Sequence, residues 1–146
     1  MRSKSIVLVI ILSLVFLAAN ASGAKEGGPG LAMASALVFA LDGAGLSEHV
    51  AVVTDGQLSG LVNRGLVVGE ISPEAAEAGA PLGLVQNGDR ISIDVEKRVV
   101  DLDVPQAELA ARRERLQPFA SPEEKGWLSI YQRSVQPLSR GAVLRK

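Results

Sequence analysis

Hydrophobic and polar positions change their period several times along the 146-residue chain, and each change marks an element. Ile6 to Ala19 is apolar throughout except for Ser13. From Gly30, the residues Leu31, Met33, Ala34, Leu37, Val38 and Leu41 recur at spacings of three and four, which is one face of a helix. Gly43 and Gly45 end it, as glycine does just past a helix C-terminus. Val50-Ala51-Val52-Val53 reads as a short buried strand, cut by the turn formers Thr54-Asp55-Gly56, and Leu66-Val67-Val68 predicts a second one. Ser72-Pro73-Glu74-Ala75-Ala76-Glu77 has the form of a helix start, with Ser72 as N-cap, Pro73 at the first helical position and Glu74 in the first turn. That assignment leaves Glu74 no catalytic role.

Further along, Leu82-Gly83-Leu84-Val85, Asn87-Gly88-Asp89 and the alternating run Arg90 to Val95 have the form of a β-hairpin. Glu96-Lys97-Arg98 turns the chain into a further strand, Val99 to Val104. Pro105 to Leu116 predicts a helix of good intrinsic propensity, closed by Pro118. Ser121-Pro122-Glu123-Glu124 opens a last helix, whose Trp127, Leu128, Ile130, Tyr131 and Val135 form one stripe suited to a core or to a docking face.

The length bounds the chain to one folded domain behind its apolar leader. A basic start at Arg2 and Lys4, the run from Ile6 to Ala19 and Ala19-Asn20-Ala21 together fit a secretory signal peptide, so residues 1–24 are expected to be a leader and 25–146 the domain. An uncleaved anchor is the alternative, although a span needs roughly twenty apolar residues. Through the leader alone would the chain meet a membrane.

Charge excludes other classes. Fifteen basic and sixteen acidic residues nearly cancel, and no basic stripe or aromatic platform suggests nucleic acid. With no cysteine, the chain makes no disulfide and offers no thiolate to zinc or an iron–sulfur cluster. His49, the sole histidine, stands just before the first strand and reads as a surface or strand-edge residue. Asp94, Glu96, Asp101 and Asp103 alternate with apolar residues, the pattern of a half-exposed sheet face as well as of a carboxylate cluster.

The candidate site is the loop Thr54-Asp55-Gly56-Gln57-Leu58-Ser59-Gly60. Glycine at 56 and 60 lets backbone approach a ligand closely, and Ser59 is the hydroxyl such a loop presents. A plain surface turn with Ser59 as an ordinary loop residue is the structural alternative. This run, followed by Gly65-Leu66-Val67-Val68-Gly69-Glu70-Ile71-Ser72-Pro73-Glu74-Ala75-Ala76, resembles the C-terminal part of the dihydroxy-acid and phosphogluconate dehydratases. Their usual wording is T-D-G-R-F-S-G and then G-x-x-x-G-H-[VI]-[ST]-P-E-A. Gly27-Gly28-Pro29-Gly30 is similar to the family's G-G-P-G and Asn87-Gly88-Asp89-Arg90-Ile91 to its D-G-D-x-I, while the tail Pro137 to Leu144 resembles its C-terminus. In a free-standing domain Gly27 to Gly30 reads equally as a flexible linker.

The resemblance implies an α/β fold, the swivelling β/β/α domain, with a small barrel-like sheet flanked by helices. It implies a hydro-lyase that removes water from 2,3-dihydroxy acids or sugar acids to give 2-oxo acids, using an iron–sulfur cluster and magnesium. Carried over, Ser59 is the catalytic base at the carbon beside the carboxylate, and Thr54, Asp55, Gly56 and Gly60 form the substrate loop. A serine hydroxyl serves as a base only where a metal or positive charge lowers its pKa. In the family the cluster cysteines and most magnesium ligands belong to a large N-terminal domain, so no cofactor is expected on this chain alone and no activity without a separate N-terminal half. Two positions depart from the pattern: Met33 stands where G-M-P-E has its acid, and Glu70 where the family has histidine. Family members are cytoplasmic or lie in an organelle matrix, whereas the leader predicts export, and both expectations stay open. An exported, non-catalytic binding or remnant domain, whose loop holds a small anion through backbone N–H groups, is the second reading, and a gene fragment without function the third.

Overall fold

Val52–Val53 (β2) and Val67–Val68 (β3) pair in parallel, Val52 with Val67 and Val53 with Val68. Parallel neighbours need a crossover of a dozen or so residues, and here that crossover is the loop carrying Ser59. The pairing runs on past the valines, because Thr54 N–H donates to Val68 O, Ile71 N–H to Thr54 O and Glu70 N–H to Gly56 O at 2.9, 3.2 and 3.1 Å. The computed structural model describes residues 6–9, 32–117 and 124–145. Gly27 to Gly30, most of the leader and Ser121-Pro122-Glu123 lie outside the described residues.

A second sheet has the order β1-β4-β5, all antiparallel, formed by Ile6–Val9 (β1), Arg90–Asp94 (β4) and Val99–Leu102 (β5). Along β4 the alternation is as the sequence predicts, Ile91 and Ile93 inward and Arg90 outward. Asp94 takes the Lys97 N–H at 2.9 Å and its ammonium at 2.8 Å, and closes the turn into β5. Asp103 receives the Ser92 hydroxyl and lies 3.3 Å from the Arg90 guanidinium, so these acids are sheet-face partners of neighbouring groups. Among the described residues no group of three histidine, cysteine or acidic side chains is disposed to hold a metal ion.

The two sheets meet over one cluster, Ala51 and Val53 from one side and Ile91 and Ile93 from the other, with Leu66, Val68, Ile71, Leu82, Val85 and Leu102 around them. Among the described residues the architecture is mixed α/β, with three helices and two small sheets, and the sheets do not join into the barrel-like sheet expected. A barrel needs an unbroken ladder round its circumference. One expected arm of it is not a strand: Leu82–Val85, read from sequence as the first half of a hairpin with Arg90–Val95, falls on a 3₁₀ turn, Pro81–Leu84. Pro81 starts that turn, and a Cβ on Gly83 would lie 2.7 Å from Ala75 O, so backbone meets backbone where a strand side chain would have to fit. β4 takes β5 as its hairpin partner instead.

Helix α1 spans Ala32–Gly43. Gly45, at φ +71, follows it, with Leu46 N–H bonded to Leu41 O and Gly45 N–H to Asp42 O, the paired bonds of a Schellman cap. Helix α2, Gln106–Arg115, buries Leu109 and lies against the 3₁₀ turn, while Arg112 forks onto Asp89 and reaches Leu84 O at 3.0 Å. Helix α3, Gly126–Ser134, starts after the residues expected to open it. Its stripe divides: Val135 is wholly buried, whereas Trp127 is 65% and Ile130 51% exposed. No described helix is long and apolar enough to cross a membrane.

Because Ile91 is 3% exposed in the cluster both sheets share, Ile91→Ala should lower unfolding free energy in urea by about 3 kcal/mol. Val100→Ala, on the solvated strand β5, should cost under about 1 kcal/mol. Similar losses for the two would show that the sheets do not share a core.

Candidate functional site

The residues from Thr54 to Gly60 leave strand β2 at its buried end, so the loop begins inside the protein and climbs outward. Thr54, Asp55 and Gly56 are buried, Gln57, Leu58 and Ser59 half-buried, and Gly60 exposed. Short side chains close the base of the loop on itself: Thr54 Oγ1 accepts the Gly56 N–H at 3.0 Å. Ser35, buried on α1, accepts the Ser59 N–H through its Oγ at 2.8 Å and fixes the serine against the helix. Ser59 Oγ in turn accepts the Leu61 N–H at 3.2 Å. A donor aimed at a hydroxyl oxygen favours its deprotonated form, which is the direction a serine base requires. Three loop N–H groups, those of Gly56, Ser59 and Leu61, are thus already bonded within the protein, which removes them from any anion cradle.

Asp55 does not face outward with Ser59. It is 1% exposed, and Oδ2 accepts the Ala75 N–H at 2.8 Å across the fold. Burial pushes its carboxyl above the ordinary 3.8, the Ala75 hydrogen bond works against that, and the neighbouring Glu74 charge adds to the rise. The sequence reading of Asp55 as part of a substrate loop therefore meets a side chain turned inward, holding the loop to the segment 74–75.

The largest departure from the sequence reading lies in that segment. Residues 72–77 are not a helix start; the chain passes a cis Ser72–Pro73 peptide and makes a turn, with Glu77 N–H bonded to Glu74 O at 2.8 Å and Ala80 N–H to Glu77 O at 3.0 Å. Gly79, at φ +75, and Pro81 follow too soon for two helical turns to develop, and that spacing was the one available signal. Glu77 Oε1 accepts the Glu74 N–H at 3.2 Å, a bond a capping residue would otherwise receive. Glu74 itself, assigned no role from sequence, is 0% exposed and accepts the Leu138 N–H at 2.7 Å. Two neighbouring carboxyl side chains are consequently buried behind the serine loop, and Glu74 is the one that sequence reasoning missed. His49 and Glu70 are exposed.

Leu61, two residues from Ser59, is 75% exposed, and Phe39, one helical turn beyond Ser35, is also exposed.

The family model described as dihydroxy-acid/6-phosphogluconate dehydratase C-terminal matches residues 17–142. The chain is similar to the dihydroxy-acid dehydratase of Anaeromyxobacter sp. (strain K), 50% identical over 120 residues that make up 82% of this chain and 21% of that protein. It is 46% identical over 119 residues to the Caldicellulosiruptor bescii dihydroxy-acid dehydratase, with 82% and 21% covered. To the Methanothrix thermoacetophila protein of the same name it is 47% identical over 120 residues, with 82% and 22% covered. The chain thus spans about a fifth of the length of these relatives.

The raised pKa of the buried Asp55 carboxyl sets the sign of a pH dependence. The folded protein keeps the Asp55 proton to higher pH than the unfolded chain does, so this group makes stability fall as pH rises from 3.8 through the folded value, and the loss is complete above it. Asp89 acts oppositely: its Arg112 hydrogen bond lowers its pKa, and its contribution is lost as pH falls. Asp55→Asn keeps an oxygen for the Ala75 N–H and abolishes only the first effect. The urea midpoint of the variant relative to the parent should therefore rise with pH above 3.8; a flat or falling difference would mean that Asp55 ionises in the fold as readily as in water.

Proposed function

The chain belongs to the dihydroxy-acid/6-phosphogluconate dehydratase family, as its C-terminal domain, and from that premise we propose that it supplies Ser59 to a hydro-lyase site completed by a separate N-terminal part. The observation that carries this reading is the placement of Ser59: a half-buried hydroxyl, pinned by Ser35 at its N–H and receiving the Leu61 N–H at its oxygen, on segments whose Phe39 and Leu61 are exposed. Exposed apolar side chains on the two segments that hold the serine suit a surface covered by a partner.

The substrates proposed are 2,3-dihydroxy acids or sugar acids. Dehydration of such an acid removes a proton from the carbon beside the carboxylate and expels hydroxide from the next one, leaving an enol that becomes the 2-oxo acid. Ser59 would accept the proton. Cluster and magnesium would stabilise the departing hydroxyl and the developing charge, and the residues of this chain do not fit either group. There is no cysteine for a cluster, Met33 stands in the acidic place, and Asp55 and Glu74 are both turned to backbone N–H groups. The part this chain plays is to orient a base, with its metals belonging to the partner. Family membership supports a swivelling β/β/α arrangement for the domain.

Three of the loop N–H groups being bonded internally weighs against the alternative of an exported anion-binding domain. The place of action turns on residues 1–24. As an export leader they would carry the domain out of the cytoplasm, whereas the pairing of Ile6–Val9 with β4 supports their retention in the folded chain.

The test is complementation. The chain is mixed anaerobically with the N-terminal part of a dihydroxy-acid dehydratase reconstituted with iron–sulfur cluster and magnesium, and 2-oxo acid formation is measured on a panel of dihydroxy and sugar acids. Activity should need both parts and fall about 10³-fold or more in Ser59→Ala, the scale of a lost general base together with its positioning. Activity that survives Ser59→Ala, or absence of both activity and association, would overturn the reading.

A further inference from the structure

We propose that Glu74 is a positioning residue which, together with Asp55, makes the Glu74–Ala75 segment a strut between the C-terminal tail and the Ser59 loop. The segment is held from four sides. Asp55 Oδ2 receives the Ala75 N–H at 2.8 Å, Glu77 Oε1 receives the Glu74 N–H at 3.2 Å, and Gly83 brings its backbone against Ala75 O. The fourth hold is long in sequence: Glu74 Oε1 receives the Leu138 N–H at 2.7 Å, across 64 residues.

The tail beyond that contact is itself ordered. Leu138–Arg140 is a 3₁₀ turn, Gly141 follows at φ +81, Gln136 N–H donates to Val143 O at 2.9 Å, and Arg145 N–H donates to Ser134 O at 2.8 Å. Val135, wholly buried, anchors the end of α3 beside it. The tail therefore arrives at Glu74 as a preformed hairpin, and a buried carboxyl oxygen connects it to the site. On the other side of the strut the connection is equally direct, since Asp55 lies in the same loop as Ser59 and follows Thr54, whose carbonyl and N–H both belong to the β2–β3 ladder.

A buried carboxyl costs free energy unless hydrogen bonds compensate it. Glu74 and Asp55 are neighbours as well, near enough for the Glu74 charge to raise Asp55. A helix N-cap would have been served by Ser72 or an exposed acid; two buried ones are explained by what they tie together. Release of the tail withdraws a donor from Glu74, loosens residues 74–75 and takes from Asp55 the N–H that offsets its burial, so the loop holding Ser59 loses its inner anchor. The inference rests on the reading of Ser59 as the contributed base, in that the strut then sets where its oxygen stands.

Backbone amide hydrogen exchange on the full chain, without any N-terminal partner, tests the coupling apart from the activity. Leu138→Pro removes the donor and leaves Glu74 in place. Position 138 starts a 3₁₀ turn, and Pro137 already has ψ 153°, the extended value a following proline imposes. Exchange at Ala75, Ser59 and Leu61 should accelerate by about tenfold, as for loss of one buried hydrogen bond, while Leu109 in α2, bonded to Pro105 O, stays within about twofold. Glu74→Gln, which retains an acceptor oxygen, should keep the parent's protection at Leu138. Unchanged exchange in the serine loop of Leu138→Pro, or acceleration equal to that of Leu109, would overturn the proposal, as would an unprotected Leu138 amide in the parent. Because no activity is measured, failure of complementation leaves this outcome intact and the converse also holds.

Discussion

Burial of the Asp55 carboxyl against the Ala75 N–H is the constraint on which the site depends. A carboxyl withdrawn from water needs a donor at a definite place, and folding residues 72–80 back against the serine loop brings in the Ala75 N–H. That requirement explains why the segment is a turn and not the helix its residues favour, why Gly83 must present bare backbone to Ala75 O, and why Glu74 ends in the interior with the tail attached to it. Local preference yields because one satisfied buried carboxyl outweighs the small gain from a single turn of helix.

The apolar core is small and does a different task. Ala51, Val53, Ile91 and Ile93 hold the two sheets together, but they do not specify the loop, which leaves strand β2 through polar residues. Precision at Ser59 comes from short side chains, Thr54, Ser35 and Ser59 itself, each closing one backbone N–H. Such bonds fix the serine without walling it in, and the exposed Phe39 and Leu61 leave its outer side for another surface. The chain belongs to the dihydroxy-acid/6-phosphogluconate dehydratase family and spans about a fifth of the length of the relatives it matches.

Elements with one dominant period were legible. Helix α1 with its Gly45 cap, strand β4 with its two inward isoleucines and helix α2 behind Pro105 follow from spacing and from terminal residues alone. Segments where two signals compete were not: Leu82–Val85 is as apolar as a strand yet turns at Pro81, and Ser72–Glu77 carries every mark of a helix start. In both cases the deciding contact, Gly83 against Ala75 O or Asp55 on the Ala75 N–H, lies at least eight residues away along the chain and leaves no trace in a local pattern.

By itself the sequence determined the family resemblance, the position of the serine loop after a buried strand, and the absence of any thiolate for a cluster, because each of these is a property of residues in order. Tertiary structure alone decided that Asp55 faces inward, that Glu74 is buried and joined to Leu138, and that among the described residues the two sheets share a core without joining into a barrel. The physical reason is that burial and hydrogen-bond satisfaction are settled between segments distant in sequence, where the cost of an unpaired polar group exceeds any local propensity.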